Sequence, residues 1–380
     1  MILSVSCSPG LEPILSRELK HYDINEQTRN PGRISFKVDA LKIAELLVNL
    51  RTADNLFYMI GEFSAQNFDD LFDAVYALPW EQILKKNDKL VIEKVRSRDS
   101  VINTQSTVQA MVQKAVYSKL CSIYHIQRMP ETGAEHHARI HFYNNICTVE
   151  VDLCGMPLSK RGYRKYPGLA PLKETLAAAS LFNAGWKASM PLDDMFCGTG
   201  SIAIEAALYA MHRAPGTRRS FAWEQFAMYD GHSVLDAKET ARAKAREEPE
   251  FYITASDIDP VMIDQAKKNA RYAEIPLADS PQKPGIYFTV ADFQKRKPFY
   301  SKGYVITDPP YGNRLSNPLE AEKLYKALHE HFATLYDGFD ISSFSDREDF
   351  ATLMQAHHTR HLKITDGRET RWLLRWKQEQ

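Results

Sequence analysis

Four aspartates stand where apolar runs end: Asp194, Asp257, Asp292 and Asp308. Each is followed by residues suited to close contact with a ligand. The first opens Asp194-Met195-Phe196-Cys197-Gly198-Thr199-Gly200-Ser201, where glycines let backbone approach a bound group and the next helix offers free N–H groups. Gly198-x-Gly200-x-x-Ala203 also meets the dinucleotide fingerprint, so this segment alone leaves a nucleotide site and a bare strand-to-helix turn both open. The second, Asp257-Ile258-Asp259-Pro260, ends a strand and starts a helix with proline in its first turn. A carboxylate there can accept from both hydroxyls of a ribose, so Asp257 is the candidate ribose ligand. Asp259, just before the helical proline, is expected to be the N-cap. In the third, Asp292 can accept from an adenine amino group while Phe293 covers the ring. A lone strand-ending Asp would be a turn residue, and it is the position after the first two segments that points to a base.

The fourth segment, Asp308-Pro309-Pro310-Tyr311, narrows the chemistry. Two prolines remove two N–H donors and stiffen the backbone, leaving the Asp308 carboxylate and the Pro309 carbonyl as neighbouring acceptors beside an aromatic face. That set suits an exocyclic amino group. The –NH2 of a base is a poor nucleophile because its lone pair is conjugated into the ring. Two acceptors holding its hydrogens, with Tyr311 stacked on the base, would aim that lone pair at an electrophile. Methyl transfer to nitrogen is the reaction implied, with Asp308, Pro309, Pro310 and Tyr311 as its candidate residues.

Such segments need parallel strands with helices between them. From Glu174 onward the chain alternates in that way: strands PLDDMF, FYITAS, IYFTV, YVIT and DISSFSD, with helices such as SIAIEAALYAM, PVMIDQAKKNARYA and LEAEKLYKALHEHFATL between them. This is the pattern of a mostly parallel doubly wound, Rossmann-like α/β domain over 174–380, closed by a hairpin at Asp366-Gly367. Residues 1–60 and 61–154 instead read as two α+β units, the second ending in a hairpin at Asn144-Asn145. Residues 155–173 link them to the α/β domain. This link holds Lys160, Arg161, Arg164, Lys165 and Lys173 without an acidic residue, and Tyr163 and Tyr166 are interleaved. Lys160, Arg161, Arg164 and Lys165 are therefore candidate phosphate contacts. The run KETARAKAREE, within an insertion from His212 to Glu250, reads as a solvated helix face.

Composition bounds the class. Across 380 residues, 48 Lys+Arg balance 48 Asp+Glu, and 44% of residues are hydrophobic, which excludes a disordered, collagenous or coiled-coil chain. No apolar run approaches a membrane span, and the N-terminus has no basic region of a signal peptide, so a cytoplasmic protein is expected. The five cysteines are scattered, without a C-x-x-C pair, and are expected to be reduced. The pairs His136/His137 and His357/His358 have no partners at ligand spacing, so no metal is expected.

Taken together, D-x-F-C-G-T-G, S-D-I-D, A-D-F and D-P-P-Y-G-N-R-L resemble a class I S-adenosylmethionine-dependent methyltransferase. With Lys160-Arg161-Gly162-Tyr163-Arg164, Ala170-Pro171-Leu172-Lys173-Glu174-Thr175-Leu176-Ala177-Ala178, Arg51-Thr52-Ala53-Asp54 and Leu78-Pro79-Trp80, nearly the whole chain resembles a narrower group. This is the bacterial THUMP-domain family that methylates guanine N2 in large-subunit (23S) ribosomal RNA. The resemblance implies a ferredoxin-like subdomain (1–60) and a THUMP RNA-binding domain (61–154) before the methyltransferase domain. It implies that S-adenosylmethionine is the cofactor, leaving as S-adenosylhomocysteine, and that the partner is 23S RNA before full assembly. Asp194, Phe196, Cys197, Gly198, Thr199 and Gly200 would hold the methionine moiety, Asp257 the ribose, Ile258 and Phe293 the adenine faces, and Asp292 its amino group. Relatives often carry Asn where this chain has Asp308 and Glu where it has Asn313, and an Asn usual in the C-terminal hairpin is missing here. Asn and Asp alike supply an acceptor oxygen at position 308.

Other functions fit less well. A C5-pyrimidine methyltransferase needs a cysteine near the fourth segment, and none follows Cys197. A DNA adenine-N6 enzyme shares D-P-P-Y but needs a module that reads a duplex groove. A tRNA guanine-N2 enzyme and a THUMP-type RNA binder with an idle methyltransferase fold are further alternatives, and the intact Asp257, Asp292 and Asp308 speak against the idle fold. A nicotinamide dehydrogenase would have no use for D-P-P-Y.

Overall fold

The computed structural model describes residues 1–166, 171–310, 318–356, 360–367 and 369–378. Two mixed sheets organise them. The first holds β1 (Ile2–Ser6), β2 (Thr28–Asn30), β3 (Arg33–Lys37), β4 (Asn55–Ser64), β5 (Lys89–Arg98), β6 (Glu135–Tyr143) and β7 (Ile146–Asp152) in the order β2-β3-β1-β4-β7-β6-β5. Helices α1 (Glu12–Lys20), α2 (Ala40–Asn49), α3 (Phe68–Ala77) and α4 (Gln105–Tyr124) lie between these strands in sequence. The β6–β7 hairpin turns on Asn144 and Asn145, both at positive φ, which Asn tolerates better than most residues. The expected division at 60/61 falls inside β4. That strand pairs with β1 on one side and β7 on the other, so both α+β units share one sheet.

The second sheet holds β8 (Leu192–Asp194), β9 (Tyr252–Asp257), β10 (Gly285–Val290), β11 (Tyr304–Thr307), β12 (Asp340–Ser345), β13 (Arg360–Asp366) and β14 (Glu369–Lys377), in the order β10-β9-β8-β11-β12-β14-β13. The first five in that spatial order run parallel, and β14 inserts antiparallel between β12 and β13. Helices α5 (Glu174–Ala184), α6 (Ser201–Ala210), α7 (Ser233–Ala243), α8 (Pro260–Tyr272), α9 (Pro318–Leu335) and α10 (Phe350–Leu353) complete the domain. Sequence order reverses between β8 and β11, and open α/β sheets bind ligands at the carboxyl ends of strands beside such a reversal.

The sheets are not tethered loosely. One hydrophobic core runs from Leu3 and Val5 in the first to Ile253 and Ile286 in the second. The insertion contributes to this union. Main-chain hydrogen bonds tie Gly216 to Val48, Ala227 to Ile83 and Trp223 to Leu153, and α7 buries Val234 and Ala241 while packing on α2.

The basic segment departs from expectation most. Arg161 is buried, its Nε 3.4 Å from Glu205 Oε1, while its other nitrogens donate to the Leu158 and Arg51 carbonyls. Arg164 pairs with Glu174 at 2.9 Å, and Lys173 pairs with Asp54 at 2.8 Å. The expectation that Arg161 and Arg164 meet phosphate is therefore corrected. Acids outside the segment neutralise them, and a buried guanidinium released from such a partner would leave an uncompensated charge. Lys160 and Lys165 are exposed.

Candidate active site

The strand ends converge on a cavity of about 500 Å3. Of the residues singled out from sequence, Asp194, Phe196, Cys197, Gly198, Thr199, Asp257, Ile258, Asp292, Phe293, Asp308 and Pro310 line it. Pro309 is buried and is not among the lining residues, and Tyr311 lies outside the described residues, as do His357 and His358.

Asp194 closes β8. Its Oδ1 accepts from Thr307 Oγ1 at 2.8 Å, and Phe196 N donates to that hydroxyl at 3.2 Å. Its Oδ2 is buried with no hydrogen-bond partner among the described residues. Burial, with the Asp193 and Asp308 carboxylates adding to it, pushes the Asp194 carboxyl well above the usual carboxylate range. A cationic or donating ligand would relieve that cost.

The turn after Asp194 is pinned by Cys197 N donating to the Ser256 carbonyl at 2.9 Å and Gly200 N to the Cys197 carbonyl at 2.8 Å. Its two glycines differ in purpose. A Cβ on Gly198 would point into open space at the cavity, whereas one on Gly200 would meet Ala266, Ile204 and Phe288 at 3.2–3.4 Å. Gly200, at φ +89°, thus lets the turn pack on α8 and β10 and does not itself line the cavity. Burial pushes the Cys197 thiol far up, so it is no thiolate nucleophile.

Asp257 ends β9. Its Oδ2 accepts from Gly198 N and its Oδ1 from Asp259 N, both at 3.0 Å, and burial raises its carboxyl. A carboxylate offers about four lone-pair sites, so two remain for a ligand. Asp259 caps α8 by accepting from Val261 N at 2.8 Å, the role its place before Pro260 implied. Ile258 stands 69% exposed at the rim.

Asp292 serves two ends at once: its Oδ1 accepts from Gln294 N at 3.1 Å, capping a short turn, while the side chain also reaches the cavity. Phe293 packs against Phe196 with ring centroids 5.0 Å apart and against the edge of His331 at 5.5 Å. Sequence reading missed what fixes this platform. Arg296, buried on the same turn, donates to Asp193 Oδ1 and Ser256 Oγ at 2.6 Å each, and Asp193 Oδ2 accepts from Tyr336 at 3.0 Å. A basic residue three positions after a candidate base-covering aromatic was the available signal. Pro171 and Leu172, in the segment read as a linker, were also missed as cavity wall.

Asp308 follows β11, lines the cavity and is buried. Among the described residues, no group of three or more His, Cys, Asp or Glu side chains has metal-site geometry. His136 instead bonds Asp88 at 3.0 Å within the core of the first sheet's unit.

Comparison with known proteins assigns this arrangement. Residues 161–371 match the family described as the RMKL-like methyltransferase domain, more than half of the chain. The chain belongs to this methyltransferase family. Residues 3–56 of the methyltransferase match the RlmL ferredoxin-like domain and residues 65–152 the THUMP domain. The methyltransferase is 34% identical over 361 residues to the protein named "Putative RNA methyltransferase YpsC" of Bacillus subtilis, covering 94% of this chain and 91% of that one. It is 30% identical to the ribosomal RNA large subunit methyltransferase K/L of Shewanella baltica, covering 94% of this chain but 50% of the relative. The chain thus spans about half the length of that relative. The crystal structure of SMU.472 complexed with SAH superposes with a TM-score of 0.90 at 29% identity, over 100% of this chain and 98% of that one.

Proposed function

We propose that this methyltransferase uses S-adenosylmethionine to methylate the exocyclic N2 of a guanosine in large-subunit (23S) ribosomal RNA. The observation that carries the reading is the convergence of Asp194, Asp257, Asp292 and Asp308 on one cavity at the carboxyl ends of adjacent strands.

The donor set fits the cofactor. The unpaired, buried Asp194 Oδ2 suits the cationic amino-acid end, and the open space at Gly198 leaves room for it against bare backbone. The two remaining lone-pair sites of Asp257 suit ribose hydroxyls. Asp292 suits the adenine amino group, with Ile258 and Phe293 on the ring faces. When bound, the cofactor supplies a methyl group on a sulfonium, activated for displacement as a neutral thioether. Asp308 and the Pro309 carbonyl would accept the two amino hydrogens of the target base and so orient its nitrogen lone pair toward the cavity. The methylated amine would be strongly acidic and would lose its extra proton to solvent, so Asp308 would serve as an acceptor that positions the amine and need not take the proton. Positioning supplies most of the acceleration, and no strong base is needed.

An RNA substrate is supported by the THUMP match and by relatives named as RNA methyltransferases. Zero net charge with exposed Lys160 and Lys165 favours selective over indiscriminate polyanion binding. On this reading the protein acts in the cytoplasm on 23S RNA before assembly is complete. Among the described residues, no helix is long and apolar enough to cross a membrane. The test incubates the purified protein and labelled S-adenosylmethionine with 23S RNA fragments, transfer RNA or duplex DNA, then identifies modified nucleosides by mass spectrometry. N2-methylguanosine from 23S RNA supports the proposal. N2-methylguanosine from transfer RNA alone, or N6-methyladenine from DNA, rejects it.

A further inference from the structure

Residues 164–166 and Leu172 are fastened to the turn after β8 by two side chains that no ligand role required. Asn269, on α8, is fully buried. Its Oδ1 accepts from the backbone N–H groups of Lys165 and Tyr166, both at 3.1 Å. Its Nδ2 donates to the Tyr166 carbonyl at 3.0 Å and to the Thr199 carbonyl at 3.2 Å. Both lone pairs and both hydrogens of the amide are thus used, and a flipped amide would set like against like at all four contacts. Arg164 makes a second tie: its Nε bonds Glu174 Oε1 at 2.9 Å, while one terminal nitrogen donates to the Leu172 carbonyl at 2.7 Å and to Ser201 Oγ at 2.9 Å.

These partners lie on opposite walls of one cavity. Thr199 and Ser201 belong to the turn, and Pro171 and Leu172 to the segment that faces it. Helix packing alone would place an apolar residue at 269, because a buried amide is costly unless every polar atom is met. Here the four bonds are spent on joining two stretches of irregular backbone. Just upstream, Arg161 donates to the Arg51 carbonyl in the N-terminal unit.

We propose that Asn269 and Arg164 are positioning residues for the cofactor, Asn269 holding Lys165 and Tyr166 to the turn at Thr199 and Arg164 holding Leu172 to it at Ser201, so that the turn and Leu172 stand as facing walls of the S-adenosylmethionine site. This rests on the functional reading above. Arg164 acts here as a geometric clamp, and its charge toward RNA is already spent on Glu174.

The test compares the wild-type chain with Asn269→Ala and Arg164→Lys. Three readouts are taken: calorimetric titration with S-adenosylhomocysteine, steady-state kinetics, and amide hydrogen exchange without ligand. Asn269→Ala removes all four bonds and should weaken S-adenosylhomocysteine binding and raise the KM for S-adenosylmethionine by roughly tenfold or more. Its kcat at saturation should stay within about twofold, because the clamp acts on binding and not on the transfer. The Lys165 and Tyr166 amides should exchange faster. Arg164→Lys keeps the charge but cannot reach all three acceptors, so it should lose affinity for S-adenosylhomocysteine while the salt dependence of RNA binding is unchanged. Wild-type binding of S-adenosylhomocysteine with unaltered affinity in both variants overturns the clamp alone. A wild-type chain that does not bind it overturns the functional reading and the clamp with it. Should Asn269→Ala fail to fold, Arg164→Lys decides the matter by itself.

Discussion

Replacing Asp257 gives a graded test of the cofactor site, because its two carboxylate oxygens are already half committed. Each accepts one backbone N–H at 3.0 Å, from Gly198 and Asp259, and each has one lone-pair site left for a ribose hydroxyl. A hydrogen bond to a charged group contributes about 1.5–3 kcal/mol. Asp257→Ala removes both, so the affinity for S-adenosylhomocysteine should fall by on the order of a hundredfold, or about 3 kcal/mol at the low end of that range. Asp257→Asn keeps one acceptor oxygen and gains a donor that a hydroxyl oxygen can accept. It should lose roughly tenfold in affinity, the equivalent of one such bond. The assay is calorimetric titration with S-adenosylhomocysteine, paired with kcat at saturating S-adenosylmethionine, which should change little in Asp257→Asn. Burial raises the Asp257 carboxyl, so wild-type affinity should decline as pH falls and the carboxylate protonates, and Asp257→Asn should lose the Asp257 share of that dependence while keeping the share owed to the raised Asp194 carboxyl. Equal affinity in all three proteins, or a collapse of kcat with KM intact, would refute the ribose assignment.

Asp308→Ala should cut turnover by roughly a hundredfold or more while leaving S-adenosylhomocysteine affinity within about threefold, since the carboxylate is assigned to the target amine. Asp308→Asn, which retains an acceptor oxygen, should keep most of the activity, and equal inactivity of the two would count against the acceptor role. Arg161→Ala should destabilise the fold by about 3–5 kcal/mol in urea unfolding, because Glu205 would stay buried without its partner. Lys160→Ala with Lys165→Ala should instead leave stability alone and reduce the slope of log RNA affinity against log salt by about 1–2. Glu150 supplies a pH test of stability. Burial alone would raise its carboxyl, but His141 and Arg33 overcome that and hold it at about 2, against an ordinary value of 4.5. A depressed carboxylate stabilises above its unfolded value, so this contribution, about 3 kcal/mol, is complete above about pH 4.5 and lost as pH falls towards 2. Glu150→Gln should flatten that acid limb, and an unchanged limb would assign acid unfolding to other groups.

Much of the site was legible because its chemistry is local. Asp194, Asp257, Asp292 and Asp308 each end an apolar strand, and alternation of strands with helices is enough to bring such ends to one side of a parallel sheet. The Asn144-Asn145 hairpin and the Asp259 cap were readable for the same reason. The basic segment was not, because charge within a stretch says nothing about partners elsewhere: Arg161 is answered by Glu205, Arg164 by Glu174 and Lys173 by Asp54. Asn269 is equally silent in sequence, where a polar residue on an amphipathic helix reads as solvent-facing until its four backbone partners are seen. The shared first sheet escaped notice because β4 carries no break at its middle. Its Met59–Gly61 bulge and the close approach of Leu78 to Gly61 are tertiary features. In the insertion after α6 only the charged run KETARAKAREE drew a reading, as a solvated helix face, and nothing in sequence announced the backbone bonds to Val48, Ile83 and Leu153 that tie the insertion to the first sheet's unit.

The most direct measurement is a map of N2-methylguanosine in ribosomal RNA from cells lacking this protein, and from the same cells restored with the wild-type chain or with Asp308→Ala. One 23S position should lose its methyl group in the deletion, regain it with the wild-type chain and stay unmodified with Asp308→Ala. A 23S methylation pattern that is the same in all of these strains would contradict the account.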